Sequence, residues 1–276
     1  MEGTDKYPEA VQNILDRDIL KRDKNDPVRI AYNLALDLHD GQKRKGLEEQ
    51  DYITHPLRVY NLVKRCIDRN IPDRNVTLAA TLLHDAIEDY KKEDIKSGGI
   101  NAEVARHEAT AKIRSAFTDK KIADKVLQIV EEVTNPISFT NKKGETISKK
   151  EWQVKHVRDI SNQGKLIKIC DQTANVISNI EEVPNWNYDR IISYADKATA
   201  VVTAARENIK ERDRYVPAVG YAARIYDKVA AQCQEIFDDM RKNGDPIPPS
   251  SPRVSIPIKT IVNEVLAGGR NWRINR

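Results

Sequence analysis

Residues 82–90, LLHDAIEDY, place one imidazole, His84, and three carboxylates, Asp85, Glu88 and Asp89, at the end of an apolar run. Ionisable groups beside a hydrophobic stretch cost free energy unless they are solvated, paired or coordinated. Adjacent side chains in a continuous helix diverge by about 100°, so His84 and Asp85 can meet at one point only near a helix end. There an imidazole nitrogen and a carboxylate oxygen suit one divalent cation. Glu88 and Asp89 follow one turn later on the same two stripes, about 5–6 Å on, in range to move a proton or hold a water. A solvated helix C-terminus is the competing reading, since a lone His-Asp pair arises often by chance.

Two further stretches supply matching donors. In DYITHP, His55 stands directly before Pro56, whose ring fixes the backbone at a helix start and aims His55 in one direction. In KLIKICDQTAN, Asp171 interrupts an apolar face made by Leu166, Ile167, Cys170 and Ala174, with Asn175 one turn later. A carboxylate there is costly unless paired or coordinated. Together His55, His84, Asp85 and Asp171 form a set of two nitrogens and two oxygens that leaves positions open for water and substrate.

The elements that must carry these residues read as helices, so the expected fold class is all-α. Helical spacing of apolar residues runs through 27–39, where Asp26-Pro27 marks the start, and then after Pro56. It continues from about Asp73 to Glu88 and returns in 123–134, 165–180, 188–208 and 216–242. Residues 91–112 are polar, contain Gly98-Gly99 and read as an insertion or mobile loop. Segment 137–148 allows at most a short β-hairpin closed at Lys143-Gly144. GDPIPPSSP ends the last long helix, because consecutive prolines remove backbone donors. The expected division is an N-terminal extension, 1–26, a helical catalytic domain, 27–210, and a C-terminal helix and basic tail, 211–276.

The ordered motifs HDGQKRKG, YITHP, LLHDAIED, EEVTNP, KLIKICDQTAN and WNYDRIISYADKA resemble the hydrolase domain of Rel/Spo proteins and the free-standing small alarmone hydrolases. These are HD-domain metallophosphohydrolases, helical bundles by fold, and the resemblance spans about Val28 to Arg206. It implies manganese-dependent hydrolysis of the 3′-diphosphate of ppGpp and pppGpp to GDP or GTP plus pyrophosphate. Carried over by position, it makes His55, His84, Asp85 and Asp171 the metal ligands, with Glu88 and Asp89 activating the attacking water. Arg44, Lys45, Asn175 and Tyr194 match nucleotide contacts. Cationic Arg44 and Lys45 beside a divalent ion suit the charge that develops on a diphosphate ester.

The remaining histidines read differently. His39 reads as a packing or supporting residue behind the site, His107 as solvent-exposed and His156 as an ordinary surface or helix-packing residue, while Lys143, Lys149 and Lys150 read as a solvated charge run. Cys170 reads as a small core residue.

Composition sets the outer limits. The chain has 276 residues, 39% of them hydrophobic and 32% charged, with a net charge of +4. No apolar run approaches the roughly 18 residues that span a bilayer, and MEGTDKYPEA lacks a secretory pattern. Cys66, Cys170 and Cys233 are far apart, which excludes a disulfide framework or thiolate zinc site and points to a reducing, cytoplasmic setting. The last 70 or so residues lack the strand pattern of a synthetase unit. From Arg241 onward seven Lys/Arg face only Asp245 and Glu264, with Trp272 among the arginines. That tail motivates a second reading, a related phosphohydrolase acting on ppApp, NADPH or a pyrophosphorylated tRNA 3′ end, with tRNA held by phosphate contacts and stacking. A third reading is a non-catalytic nucleotide-binding scaffold, which has no need of stoichiometric manganese. Oligomeric state has no sequence signature here.

Overall fold

The computed structural model describes residues 14–44, 50–97, 99–181 and 188–243. After a π-helical turn at Leu15–Ile19 the described chain is a succession of helices. These are α1 (Pro27–Leu38), α2 (Thr54–Cys66), α3 (Arg74–Leu82), α4 (Ala86–Asp89), α5 (Lys92–Lys96) and α6 (Ala102–Ala116). They continue as α7 (Lys120–Val133), α8 (Lys149–Asp159), α9 (Asn162–Glu181), α10 (Tyr188–Arg206) and α11 (Val216–Asn243). Among the described residues β-pairing is limited to two isolated bridges, Lys43 with Asp51 and Thr140 with Thr146. The fold is all-α, as the apolar spacing requires. No described helix is long and apolar enough to cross a membrane.

Capping residues set the helix starts. The Asp26 carboxylate accepts from the Val28 N–H, with Pro27 at the first helical position, where a missing N–H costs nothing. Asp119 caps α7, and the Ser148 hydroxyl accepts from the Glu151 N–H at 3.1 Å to open α8. The buried faces then choose partners. α9 is the central helix, packed on α2, α7, α8, α10 and α11. Within it Leu166, Ile167, Ile169 and Cys170 are buried, as is the whole of Lys165. The Lys165 ammonium escapes isolation by donating to the carbonyls of Glu207 and Asn208, at 2.9 and 2.8 Å, just beyond the C-terminus of α10. A cation there also meets the negative end of the α10 dipole.

Away from the clustered histidines and aspartates, the structure departs from the sequence reading in two places. Residues 102–116, expected within or beside a mobile insertion, form a full helix capped by Asn101, whose side chain accepts from the Glu103 N–H. Its buried stripe is only Ala105, Ala109 and Ile113, too small and sparse to stand out as amphipathic. α6 packs on α1, α4 and α7 and so forms the wall behind α4. The hairpin expected in 137–148 is one bridge around a turn in which Gly144 takes a φ of +80°. There the Asn141 side chain accepts from the N–H groups of Lys143 and Glu145. The basic tail beyond residue 243, Trp272 included, lies outside the described residues, as does Lys45.

Candidate active site

The helix expected to run unbroken from 73 to 88 stops at Leu82 and resumes at Ala86. In the break Leu83 has φ −104° and ψ 7°, and Asp85 has φ −100° and ψ −5°. This sparsely populated region of backbone space recurs at active sites. The turn removes the divergence of neighbouring helical side chains, so that His84 Nε2 and Asp85 Oδ2 stand 3.2 Å apart. His55 arrives from the first turn of α2, with Nε2 3.2 Å from Asp171 Oδ1 and 3.6 Å from Asp85 Oδ2. Asp171 projects from the middle of α9, its Oδ1 3.8 Å from His84 Nε2. Donor atoms of His55, His84 and Asp171 all lie within 4.8 Å of one another, and all three residues are buried.

Two properties of this cluster fit a divalent cation. Ligands about 2.1 Å from one ion stand about 3.0–3.5 Å from their neighbours, close to the separations found here. The second property is an orphaned nitrogen. His84 Nδ1 pairs with the Thr81 carbonyl at 2.8 Å, which fixes that nitrogen as an N–H and turns Nε2 toward the carboxylates, where it can take either a proton or a metal ion. Electrostatics agree. Burial, then the Arg44 charge, lowers His55 to about 4. Burial also opposes a charged His84, but Asp85 and Asp171 outweigh it and raise that imidazole to about 10. Both carboxylates are held low by the imidazoles, against the effect of their own burial. Two buried carboxylates therefore recruit a proton onto His84, in the place where a metal ion would supply the positive charge.

A second layer of side chains aims the donors. Asp171 accepts from Asn175 Nδ2 at 2.6 Å and from Gln172 Nε2 at 3.0 Å. Asp85 accepts from the Tyr52 hydroxyl at 2.8 Å. His39 is buried with its ring 4.7 Å from that of Tyr52. His39 Nδ1 pairs with Gln42 Oε1, while Gln42 Nε2 donates to the Asp89 carbonyl at 2.8 Å. HDGQ thus buttresses the site from behind, in keeping with the packing role expected of His39. Tyr52 and Gln42 were not singled out from sequence, although Tyr52 lies one turn before His55. Removing the Tyr52 hydroxyl (Tyr52→Phe) is expected to weaken metal affinity about 10- to 100-fold, the usual cost of losing such an orienting bond. Metal titration of the variant, with circular dichroism to confirm unchanged helicity, checks this.

The acidic pair sits beside the cluster on α4. Glu88 Oε2 accepts from Asn135 Nδ2 at 2.5 Å, and Glu88 Oε1 lies 3.2 Å from Lys149 Nζ. Asp89 is buried and paired with Lys92. Burial, and then the nearby Asp85 charge, raises its carboxyl above the usual range. Lys149, read as part of a solvated run, instead reaches Glu88, and Asn135 of EEVTNP holds the same carboxylate. The Arg44 charge acts on His55 and on the Tyr194 hydroxyl, which also feels Asp171 and Asp85. The Lys197 ammonium lies 4.1 Å from the centre of the Tyr194 ring. Asn175 thus supports Asp171, whereas Arg44 and Tyr194 stand at the margin. Of the other histidines, His107 is exposed. His156 stacks on Trp152 at 4.2 Å and pairs with the Glu132 carbonyl.

Residues 52–176 match the family model described as HD domain. Over that span the chain is similar to an HD domain. Its matched span begins at Tyr52 and so takes in His55, the His84-Asp85 pair, Glu88, Asp89, Asp171 and Asn175. The guanosine-3′,5′-bis(diphosphate) 3′-pyrophosphohydrolase MESH1 of Xenopus tropicalis is 29% identical over 177 residues, covering 64% of this chain and 83% of that protein. The bifunctional (p)ppGpp synthase/hydrolase SpoT of Escherichia coli is 37% identical over 120 residues, 42% of this chain and 15% of that longer protein. A solved structure described as a metazoan ortholog of SpoT is 22% identical and superposes with a TM-score of 0.48, over 72% of this chain and 94% of that one. That similarity accords with an arrangement in which helices bring histidine and aspartate side chains together from distant positions.

Proposed function

We propose that this HD domain is a metal-dependent hydrolase that removes the 3′-diphosphate of (p)ppGpp as pyrophosphate, leaving GDP or GTP. The observation that carries the reading is the convergence of His55, His84 and Asp171, with Asp85 beside them, next to an acidic pair on α4. Relatives named as guanosine-3′,5′-bis(diphosphate) 3′-pyrophosphohydrolases support the choice of substrate.

In this reading His55, His84, Asp85 and Asp171 hold one divalent ion, taken to be manganese because a mixed imidazole and carboxylate set suits it. The ion supplies Lewis acidity toward the diphosphate and toward water. The protein supplies everything else. Glu88, fixed on one oxygen by Asn135 and on the other by Lys149, accepts the proton of the attacking water. Asp89, anchored by Lys92, holds that water in line. Arg44 and Lys149 offset the charge that develops on the phosphoryl oxygens, and Tyr194 and Asn175 border the nucleotide.

Purified protein with manganese and ppGpp is expected to yield equimolar GDP and pyrophosphate, and a chelator is expected to abolish turnover. The same assay on ppApp, NADPH and tRNA bearing a 3′-terminal pyrophosphate tests the assignment. Faster turnover of any of these than of ppGpp overturns the guanosine assignment while keeping the hydrolase. Metal bound with no turnover of any 3′-phosphorylated compound overturns the hydrolase reading.

A further inference from the structure

One helical turn from the donor cluster, a small cavity lies between α8, α9 and α10, lined among others by Trp152, Gln153, Lys168, Gln172 and Val201. Three of these residues are polar and more than nine-tenths buried: Gln153 at 7%, Lys168 at 7% and Gln172 at 3% exposed. The amide oxygens of Gln153 and Gln172 have no hydrogen-bond partner. A buried acceptor left unpaired costs about 1–3 kcal/mol, so two on residues that line one cavity call for a shared donor.

The orientation of both amides is forced from the reaction site. Glu88 is a carboxylate and can only accept, so Asn135 presents its NH2 group to it, at 2.5 Å. The Asn135 oxygen must then accept from Gln153 Nε2, at 2.9 Å, which turns Gln153 Oε1 away from Asn135. Asp171 likewise accepts from Gln172 Nε2, at 3.0 Å, which frees Gln172 Oε1. Two chains, one starting at Glu88 and one at Asp171, thus end in amide oxygens without partners. Lys168 lines the same cavity, one turn before Gln172 on α9. Among the described residues its ammonium has no ion pair or hydrogen bond, and it carries three donors.

We propose that Lys168 is a positioning residue whose ammonium, directly or through one water, joins Gln153 Oε1 to Gln172 Oε1 and locks Glu88 to Asp171. The bridge rests on the reading that these two carboxylates work together, one on the water and one on the metal. It gives the Lys168 ammonium, whose charge also acts on Asp171, a hydrogen-bonded place one turn from the donor cluster. It also gives the two halves of the site, which come from helices far apart in sequence, a fixed separation. Catalytic geometry is sensitive at this scale, since a misplacement of about 1 Å can cost 10²-fold in rate.

The test is a double-mutant cycle on the full chain with Lys168→Met, Gln153→Leu and both together, and Lys168→Arg as the conservative replacement. Each single change breaks the same bridge, so the melting temperatures of the three variants are expected to be non-additive, the double variant melting no lower than the worse single one. On ppGpp, Lys168→Met is expected to lower kcat about tenfold with KM unchanged, and Lys168→Arg to recover most of it. Additive melting shifts overturn the bridge. Non-additive melting with unchanged kcat in Lys168→Met overturns the positioning role. The melting cycle needs no substrate, so it upholds or overturns the bridge even if the wild-type protein fails to turn over ppGpp, a result that would count against the proposed function alone.

Discussion

Asp171→Ala is expected to lose the metal and to lower turnover of ppGpp at least about 10³-fold, equivalent to about 4 kcal/mol of transition-state stabilisation. Asp171 is the one donor carried by the central helix, and its Oδ1 lies 3.2 Å from His55 Nε2 and 3.8 Å from His84 Nε2. It therefore holds together donors that come from α2 and from the break after α3. Its removal also strands Gln172 and Asn175, whose amides donate to it. Elemental analysis of purified wild type and variant after extensive dialysis gives the direct comparison. Near-stoichiometric metal in the variant would show that Asp171 does not coordinate.

Glu88→Gln is expected to do the opposite in one respect. It should keep metal at wild-type affinity and still lose about 10²- to 10⁴-fold in kcat, the range for removing a general base. Glu88 is 20% exposed at the side chain and is held by Asn135 and Lys149. The amide keeps its shape but cannot accept a proton from water. A kcat within threefold of wild type would move the base to Asp89, which is more buried and already raised above the ordinary carboxylate range. Run side by side, the two variants separate binding the ion from using it.

The side chains of His55, His84, Asp85 and Asp171, which the structure brings together, stood out in the sequence because they are chemically improbable where they stand. A carboxylate in the apolar stripe of α9 and an imidazole-carboxylate pair at a helix end are costly unless something holds them. Helix positions were legible wherever large aliphatic residues mark a face, as in α7 with Val126, Ile129, Val130 and Val133. They were not legible in α6, where alanines do the packing. The break at 83–85 was also hidden, because Leu83 continues the apolar pattern straight through it. Contacts that span the chain left no local trace either. Asn135 and Lys149 converge on Glu88 from across a turn, and only tertiary packing brings them there.

The pairing of His55 with Asp171 bridges 116 positions of sequence. No unfolded chain holds those two side chains together, so in the proposed reading an ion held between them would bind the folded form in preference to the unfolded one. Occupancy is then a source of stability as well as of reactivity. At free ion concentrations of 100 times Kd it adds about 2.7 kcal/mol to the unfolding free energy, a large fraction of what a typical domain possesses. On the proposed reading, ion supply in the surroundings would set how much of the protein persists, and scarcity would remove the enzyme as well as silence it.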